Sequence, residues 1–378
     1  MQRVEPKNDD RSFERGGERV ARGRGKSEAK QSRNRDRGAG RDRGMRPRGL
    51  TEKSKTRSQP KAEAENPPRE RIGIPPATGD RPGIVAPVIL TVAATDDYAL
   101  IDSGAGEKLE RYGPLTIRRP ENQAIWPRRA SEADWERADA IFTGDMDEEG
   151  TGRWRFTGEP LGETWPLSYE RLAFHGRFTS FRHTGVFPEQ AAHWAFVDET
   201  VRAAKRPVKL LNLFGYTGLA SLVAARAGAE VTHVDASKKA IGWARENQAL
   251  AEMDDAPIRW ICEDAVRYCE REVKRGNRYD AILLDPPKFG RGPKGEVWQI
   301  LEDLPYLLGL VRMLLSDRAL FAILTAYSIR SSFYSLAELA REEFRGMGGR
   351  IEAGELLIAE DGADARLLST SLFARWTA

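Results

Sequence analysis

From about residue 188 to the C-terminus, amphipathic helices alternate with short apolar strands, and this alternation constrains the fold more than any other feature of the chain. Five strand–helix units in succession predict a parallel sheet covered by helices on both faces, which is a Rossmann-like α/β arrangement. The last two apolar segments have no long helix between them, so we expect them to pair as an antiparallel hairpin at one edge of the sheet. The predicted strands are 208–214, 230–234, 258–262, 279–284, 319–324, 355–359 and 367–374, and the predicted helices are 189–205, 219–227, 238–251, 265–274, 297–314 and 333–344.

The segment from about 85 to 180 has shorter, β-like apolar runs separated by glycine and proline turns. We predict a small β-rich domain at 85–180, a possible platform for the substrate, followed by a larger domain at 185–378. Arg118, Arg119, Arg128 and Arg129 lie close to Trp126 in this segment. That pattern favours either a nucleic-acid surface or a sheet face whose scattered arginines are only solvated.

Residues 1–80 have a composition of their own. They carry 22 basic and 13 acidic side chains, whereas residues 81–378 carry 38 and 44. Phe13 is the only aromatic residue in this stretch, so it cannot bury a core, and we predict a disordered basic tail rich in Arg-Gly steps. Such a tail either attracts phosphates without reading sequence or is a solvated extension with no specific partner.

Several classes of protein are excluded by composition. No apolar run approaches the roughly 18 residues of a membrane span, and charged residues stand where a signal peptide would be apolar. Two cysteines are too few for a disulfide framework or a four-cysteine zinc site. The four histidines lack the acidic spacing of a metal site. We therefore expect a soluble, cytoplasmic protein that binds neither a membrane nor a metal.

Polar residues follow four successive predicted strands at the point where each strand ends. The first strand ends in Asn-Leu-Phe-Gly-Tyr-Thr-Gly at 212–218, the second in Asp235, the third in Glu263 and Asp264, and the fourth in Asp-Pro-Pro-Lys-Phe at 285–289. Ligands of such sheets bind at the carboxyl ends of the strands. A glycine turn lets backbone N–H groups approach a ligand, and a carboxylate can accept hydrogen bonds from both hydroxyls of a ribose. The alternative for each acid is that it only caps the following helix.

These motifs resemble those of class I S-adenosylmethionine-dependent methyltransferases, and within that class the large-subunit ribosomal RNA methyltransferase group. The resemblance covers 185–378, about half of the chain. It is carried by 211–218, 234–237, Ala244 with Asn247, 263–264 and 285–289, and by the preceding loop Thr-Gly-Val-Phe-Pro-Glu-Gln at 184–190.

The resemblance implies S-adenosyl-L-methionine as the cofactor and assigns residues to each part of it. The methionine part would be held by the turn that contains Asn212, Phe214, Tyr216, Thr217 and Gly218, together with Gln190 from the preceding loop. Asp235, next to Ala236, would bind the ribose hydroxyls, and Asp264 the adenine. A dinucleotide cofactor is disfavoured because the turn has no Gly-x-Gly-x-x-Gly and carries two bulky aromatic residues.

The resemblance also implies that the methyl group emerges at 285–289. There Asp285 and the carbonyl of Pro286 would accept hydrogen bonds from an exocyclic amine and orient its nitrogen lone pair. Phe289 would stack on a base, and Lys288 would contact a phosphate. The alternative is that the two prolines only end the strand and that Phe289 belongs to the core.

No cysteine follows the fifth strand, where 324–330 reads Leu-Thr-Ala-Tyr-Ser-Ile-Arg. Methylation of a cytosine at carbon 5 needs a cysteine nucleophile, and Cys262 and Cys269 are better explained as small buried hydrophobic residues. Tyr327, Ser328 and Arg330 either line the acceptor pocket or cap the strand.

The predicted function is direct in-line transfer of a methyl group to a base nitrogen of ribosomal RNA, without a cysteine adduct. Two alternatives remain: a methyltransferase that acts on a protein or a small molecule, and a non-catalytic RNA-binding assembly factor.

Overall fold

An eight-stranded sheet runs through the centre of the chain in the computed structural model, which describes residues 71–144, 151–159, 162–327 and 329–378. Most of the predicted tail at 1–80 therefore lies outside the described residues. Strands and helices are numbered here in chain order. They are β1 (Gly83–Val92), β2 (Tyr98–Gly104), β3 (Glu107–Tyr112), β4 (Leu115–Pro120), α1 (Glu132–Glu136), β5 (Ala140–Gly144), β6 (Gly152–Phe156), β7 (Thr164–Tyr169), β8 (Leu172–Arg177), α2 (Ala191–Ala203), β9 (Val208–Leu213), α3 (Leu219–Arg226), β10 (Ala229–Asp235), α4 (Lys238–Leu250), β11 (Ile258–Cys262), α5 (Ala265–Arg275), β12 (Ala281–Leu284), β13 (Phe289–Arg291), β14 (Val297–Gln299), α6 (Ile300–Leu314), β15 (Phe321–Ala326), α7 (Phe333–Glu343), β16 (Arg350–Ala359) and β17 (Leu367–Thr377).

The strand order of the central sheet is β1-β16-β17-β15-β12-β9-β10-β11. Strands β15, β12, β9, β10 and β11 are parallel, whereas β17 is antiparallel to both of its neighbours. This confirms the predicted α/β class. The chain passes from β9 towards one edge and then returns through β12 towards the other. The change of direction leaves a crevice at the carboxyl ends of β9 and β12, where ligands of such sheets bind.

The predicted position of the C-terminal hairpin is wrong. Strands β16 and β17 do pair antiparallel, but β1 adds in parallel to β16 and forms the edge. Pro87 makes this segment look like a loop, yet a register shift between Val85 and Val88 accommodates it in an edge strand. A Cβ atom at Gly354 would lie 1.7 Å from the Val88 carbonyl oxygen, so glycine is needed for this approach.

Helix α6 begins three residues later than predicted. Val297–Gln299 instead form β14, which pairs antiparallel with β13. The resulting short hairpin directly follows the Asp-Pro-Pro segment at the end of β12.

The β-rich region forms a five-stranded sheet in the order β2-β3-β4-β5-β6 and a separate hairpin of β7 and β8. One apolar cluster joins this region to the central sheet, because Tyr112 and Trp165 share it with Leu222 and Leu368. The described residues accordingly belong to one compact unit that spans 69–378. A domain division near 180–185 stays a prediction.

The structure corrects part of the predicted arginine surface in the N-terminal half. Arg119 is buried and bonds the carboxylate of Glu110, so it does not contribute to a nucleic-acid surface. The neighbouring arginines also meet carboxylates: Arg118 and Arg128 pair with Glu107, and Arg129 pairs with Asp364.

The first residues of the described chain, which belong to the predicted tail at 1–80, contact helix α6. The backbone N–H of Ile72 donates to the Tyr306 hydroxyl at 2.9 Å, and Ile74 contacts the main apolar cluster. No helix of the described ranges is long and apolar enough to cross a membrane.

Candidate active site

A cleft opens at the carboxyl ends of β9, β12 and β15, at the crevice that the strand order creates. Its walls are the loop before α2, the first turns of α2, the turn after β9 and the end of β12. Gln190, Asn212, Phe214, Tyr216, Thr217 and Asp285 all line it. Six of the sequence-predicted site residues are therefore brought to one cavity.

The turn after β9 has an unusual backbone. Phe214, Tyr216 and Gly218 have positive φ angles of 57°, 50° and 85°. Left-handed φ values at bulky residues cost free energy and are concentrated at functional sites. Gly215 is needed for a different reason, since a Cβ atom there would lie 2.3 Å from Cε1 of His233.

A network of buried side-chain hydrogen bonds supports this turn. Asn212 Nδ2 donates to Ser221 Oγ at 2.9 Å, and Ser221 Oγ lies 3.0 Å from Nδ1 of His233. Burial lowers the pKa of His233 to about 3, so its ring is neutral. These contacts fix the end of β9 and the start of α3 relative to each other.

Thr217 ties the turn to the loop before α2. Its hydroxyl donates to the Gly185 carbonyl at 2.7 Å, and its own carbonyl accepts from Asn247 Nδ2 at 2.9 Å. Asn247 Oδ1 in turn accepts the His175 backbone N–H at 2.9 Å. Asn247 therefore joins the turn to β8, which gives a physical reason for an asparagine at this position of α4.

Asp235 ends β10 with both carboxylate oxygens in use. Oδ2 accepts the Tyr216 N–H at 3.0 Å, and Oδ1 accepts the Ser237 N–H at 2.7 Å. Burial raises the pKa of Asp235, although these two hydrogen bonds oppose the change. Ser237 rather than Asp235 caps α4, so capping does not explain the acid. Ala236 follows it, half-buried.

Asp264 does cap a helix. Its Oδ1 accepts the Arg267 N–H at 3.0 Å at the start of α5. Asp235 and Asp264 end adjacent strands on the same edge of the sheet as the cleft, but neither lines the cleft itself. Cys262, at the end of β11, is exposed, which corrects the expectation that both cysteines are buried; Cys269 is buried.

The end of β12 is where the predicted catalytic and substrate residues meet. Gln190 Nε2 donates to Asp285 Oδ2 at 3.1 Å and to the Tyr327 hydroxyl at 3.0 Å. The Gln190 amide thus hydrogen-bonds to side chains of two other segments that are far from it in sequence. Pro286 is buried, and the Pro287 carbonyl accepts from Nε1 of Trp298 at 2.7 Å, which anchors the proline pair to β14.

Strand β13 presents Phe289 and Arg291 to solvent, whereas Trp298 of β14 is buried. Phe289 is 41% exposed, so the interpretation of Phe289 as a core residue is wrong. Lys288 and Arg291 flank it and are exposed, with the Arg291 guanidinium carbon 5.9 Å from the ring centroid. Arg330 is exposed after β15, and Ser328 lies outside the described residues.

The sequence profile of the S-adenosylmethionine-dependent methyltransferase family matches residues 141–348, which is more than half of the chain. The chain belongs to this family. It is an enzyme of that type, and S-adenosylmethionine is its cofactor.

Two curated relatives share a part of this methyltransferase. Ribosomal RNA large subunit methyltransferase K of Neisseria meningitidis serogroup B is 28% identical over 249 residues, which cover 62% of this chain and 66% of that protein. Ribosomal RNA large subunit methyltransferase K/L of Syntrophotalea carbinolica is 30% identical over 184 residues, covering 48% of this chain and 25% of that protein. The chain thus spans less than two thirds of the first relative's length and a quarter of the second's.

Two solved structures are also similar. The crystal structure of the SAM-dependent methyltransferase from Agrobacterium tumefaciens is 58% identical, with a TM-score of 0.78, over 82% of this chain and 99% of that one. SMU.776, solved in complex with SAH, is 16% identical with a TM-score of 0.57 over 75% of this chain and 76% of that one, and shows a common fold.

The residues of the methyltransferase cleft fit its cofactor. The turn approaches the cleft with glycines at 215 and 218, where a Cβ atom would overlap neighbouring atoms. The Asp235 carboxylate at the adjacent strand end is an acceptor suited to a ribose diol. In the described ranges, no group of three or more His, Cys, Asp or Glu side chains could hold a metal ion.

Among the cleft residues that the sequence did not single out, one carries a titratable polar ring. His193 lines the cleft from α2 and is 3% exposed. The available signal was its spacing, since it follows Gln190 by three residues and so lies on the same face of the helical segment.

Proposed function

We propose that this methyltransferase transfers a methyl group from S-adenosylmethionine directly to a base nitrogen of large-subunit ribosomal RNA, without a cysteine adduct. One observation carries the proposal: Gln190 holds the Asp285 carboxylate at the mouth of the cleft, immediately before an exposed Phe289. The alternative acceptors, a protein or a small molecule, would not need an exposed aromatic ring between two cations.

S-adenosylmethionine supplies a methyl group on a positively charged sulfur, so the methyl group is already electrophilic. The protein then has to align a nucleophile and exclude water. The Asp285 carboxylate and the Pro286 carbonyl are acceptors suited to the N–H groups of an exocyclic amine. Two hydrogen bonds accepted from one amine would fix its plane and direct the lone pair. The Gln190 amide keeps the Asp285 carboxylate in one orientation for this role.

Recognition of RNA is proposed for the β13–β14 hairpin. A half-exposed Phe289 ring can stack on a base that is out of its helix, a contact worth roughly 1–3 kcal/mol. Lys288 and Arg291 beside it carry the charge that a phosphate needs. Both curated relatives are named ribosomal RNA large subunit methyltransferases, which supports the same acceptor. The basic composition of residues 1–80 adds a further, sequence-independent attraction for RNA.

The test is transfer of a tritiated methyl group by the purified full chain, with large-subunit ribosomal RNA and a mixture of cell proteins offered as separate acceptors. We expect label on the RNA, and mass spectrometry of the nucleosides should place it on a base nitrogen. Asp285→Ala should reduce the rate by about 10²- to 10⁴-fold, the range for losing a positioned polar group. Asp255→Ala, on the exposed turn after α4, is the matched control and should leave the rate unchanged.

Each part of the proposal can fail separately. Label on protein alone would reject RNA as the acceptor. Label on carbon 5 of a pyrimidine would reject direct transfer to nitrogen. An unchanged rate in Asp285→Ala would remove Asp285 from the mechanism.

A further inference from the structure

His193 lines the cleft from the first full turn of α2. Its ring packs edge-on against Phe373 of β17, with ring centroids 5.2 Å apart. Trp194, Val197, Leu283 and Ile323 also line the cleft, and Arg375 is the charged side chain that acts on the imidazole.

Both ring nitrogens of His193 are buried, and neither has a hydrogen-bond partner among the described residues. Buried polar atoms in native proteins are nearly always bonded, because leaving one without a partner costs about 1–3 kcal/mol. A ring that lines a cleft and carries two such atoms is therefore placed to bond a ligand.

The charge state of the ring limits what it can bind. Burial and the positive charge of Arg375 lower the pKa of His193 to about 3, so the imidazole is neutral at ordinary pH. A neutral imidazole offers one N–H donor and one acceptor nitrogen. It complements a ligand group that itself contains both an acceptor and a donor.

The cofactor of this methyltransferase has one such group at its end. Its amino-acid moiety combines a carboxylate, which accepts hydrogen bonds, with an ammonium, which donates them. We propose that His193 is a positioning residue that hydrogen-bonds the amino-acid end of the cofactor and makes the cleft selective for ligands that carry it. The inference rests on the cofactor alone and does not depend on the acceptor.

The experiment compares two ligands that differ at this end. S-adenosylhomocysteine has the amino-acid moiety, whereas 5′-methylthioadenosine keeps adenine, ribose and sulfur but lacks it. Titration calorimetry would measure both affinities for the full-length wild type, His193→Phe and His193→Gln. Glu199→Gln, exposed on the same helix and outside the cleft lining, is the control.

In His193→Phe, we expect the affinity for S-adenosylhomocysteine to fall about tenfold to hundredfold, the range for losing a hydrogen bond to a charged group. The affinity for 5′-methylthioadenosine should change less than about twofold. His193→Gln retains a donor and an acceptor, so it should lose less affinity than the phenylalanine variant. Glu199→Gln should bind both ligands as the wild type does.

Equal weakening of both ligands in His193→Phe would overturn the proposal, because it would indicate a structural role only. Unchanged binding of S-adenosylhomocysteine would overturn it as well. If the phenylalanine variant does not fold, the glutamine variant gives the same comparison, and a loss that is equal for the two ligands would again be decisive.

Discussion

The contact between Gln190 and Asp285 supports a sharp prediction about pH. In Gln190→Glu, a second carboxylate would stand where the amide nitrogen now lies, 3.1 Å from Asp285 Oδ2. At that distance and an effective dielectric constant of ~20, two negative charges repel by about 5 kcal/mol. That repulsion would raise the pKa of the introduced carboxyl from ~4.3 to about 8 as an upper limit.

The consequence is that Gln190→Glu should work in acid and fail in base. While the introduced carboxyl is protonated, its O–H can donate to Asp285 as the amide does. Once it ionises, the two carboxylates repel each other and the orientation of Asp285 is lost. Gln190→Met has a similar length but no donor, so its rate should be low at every pH, by about 10- to 150-fold for a lost hydrogen bond to a charged group.

The assay is the initial rate of methyl transfer to ribosomal RNA between pH 6 and 9 at saturating cofactor. Calorimetric binding of S-adenosylhomocysteine at both ends of that range separates lost turnover from lost binding. We expect the ratio of variant to wild-type rates to fall with rising pH in Gln190→Glu and to stay constant in Gln190→Met. A constant, wild-type-like ratio in Gln190→Glu would show that the amide does not hold Asp285 during turnover.

Three further predictions follow from the same structure. Arg119→Met should lower the free energy of unfolding in urea by about 3–5 kcal/mol, since it leaves the Glu110 carboxylate buried without its cation; adding Glu110→Gln should recover part of the loss, and a change below 1 kcal/mol would contradict the reasoning. Because burial raises the pKa of Asp235, affinity for S-adenosylhomocysteine should begin to fall on acidification at a higher pH than an ordinary aspartate would give, and Asp235→Asn should remove that dependence in calorimetry. Gly218→Ala should cost about 1–3 kcal/mol of stability in the same urea assay, because a Cβ atom there would lie 2.9 Å from that of Ala244 at a φ of 85°; wild-type stability would contradict the geometry.

The fold class followed from the sequence because its signals are local. Strands β9, β10, β11, β12 and β15 are short apolar runs that alternate with amphipathic helices, and all five were predicted within a few residues. The two errors both concern strands that exist only through pairing with another segment. Strand β1 pairs with β16 across more than 250 residues, and β14 is a strand only because β13 folds back beside it.

The candidate site could be predicted where position alone decides the role. Asp235 ends β10 and Asp285 follows β12, and only β9 lies between these two parallel strands. Sheet topology therefore puts both acids on one edge. Burial was harder to predict, because it depends on tertiary packing that no pattern encodes. Arg119 and Arg118 are neighbours of the same type, yet one is buried against Glu110 and the other lies partly exposed against Glu107. His193 was missed for the same reason.

The cleft combines a fixed frame with an exposed rim, and the two parts suit different tasks. The frame is held by left-handed φ angles at Phe214 and Tyr216 and by the Trp298 bond to the Pro287 carbonyl, all of which limit the movement of the strand ends. The rim is strand β13, which has three residues and whose Phe289 contacts solvent. In-line transfer tolerates little misalignment, which explains a rigid frame around the methyl group. Selection of an acceptor needs only a surface that can differ between relatives without disturbing that frame. We therefore expect the choice of acceptor to depend on the exposed side chains of β13, and the affinity for the cofactor to be independent of them.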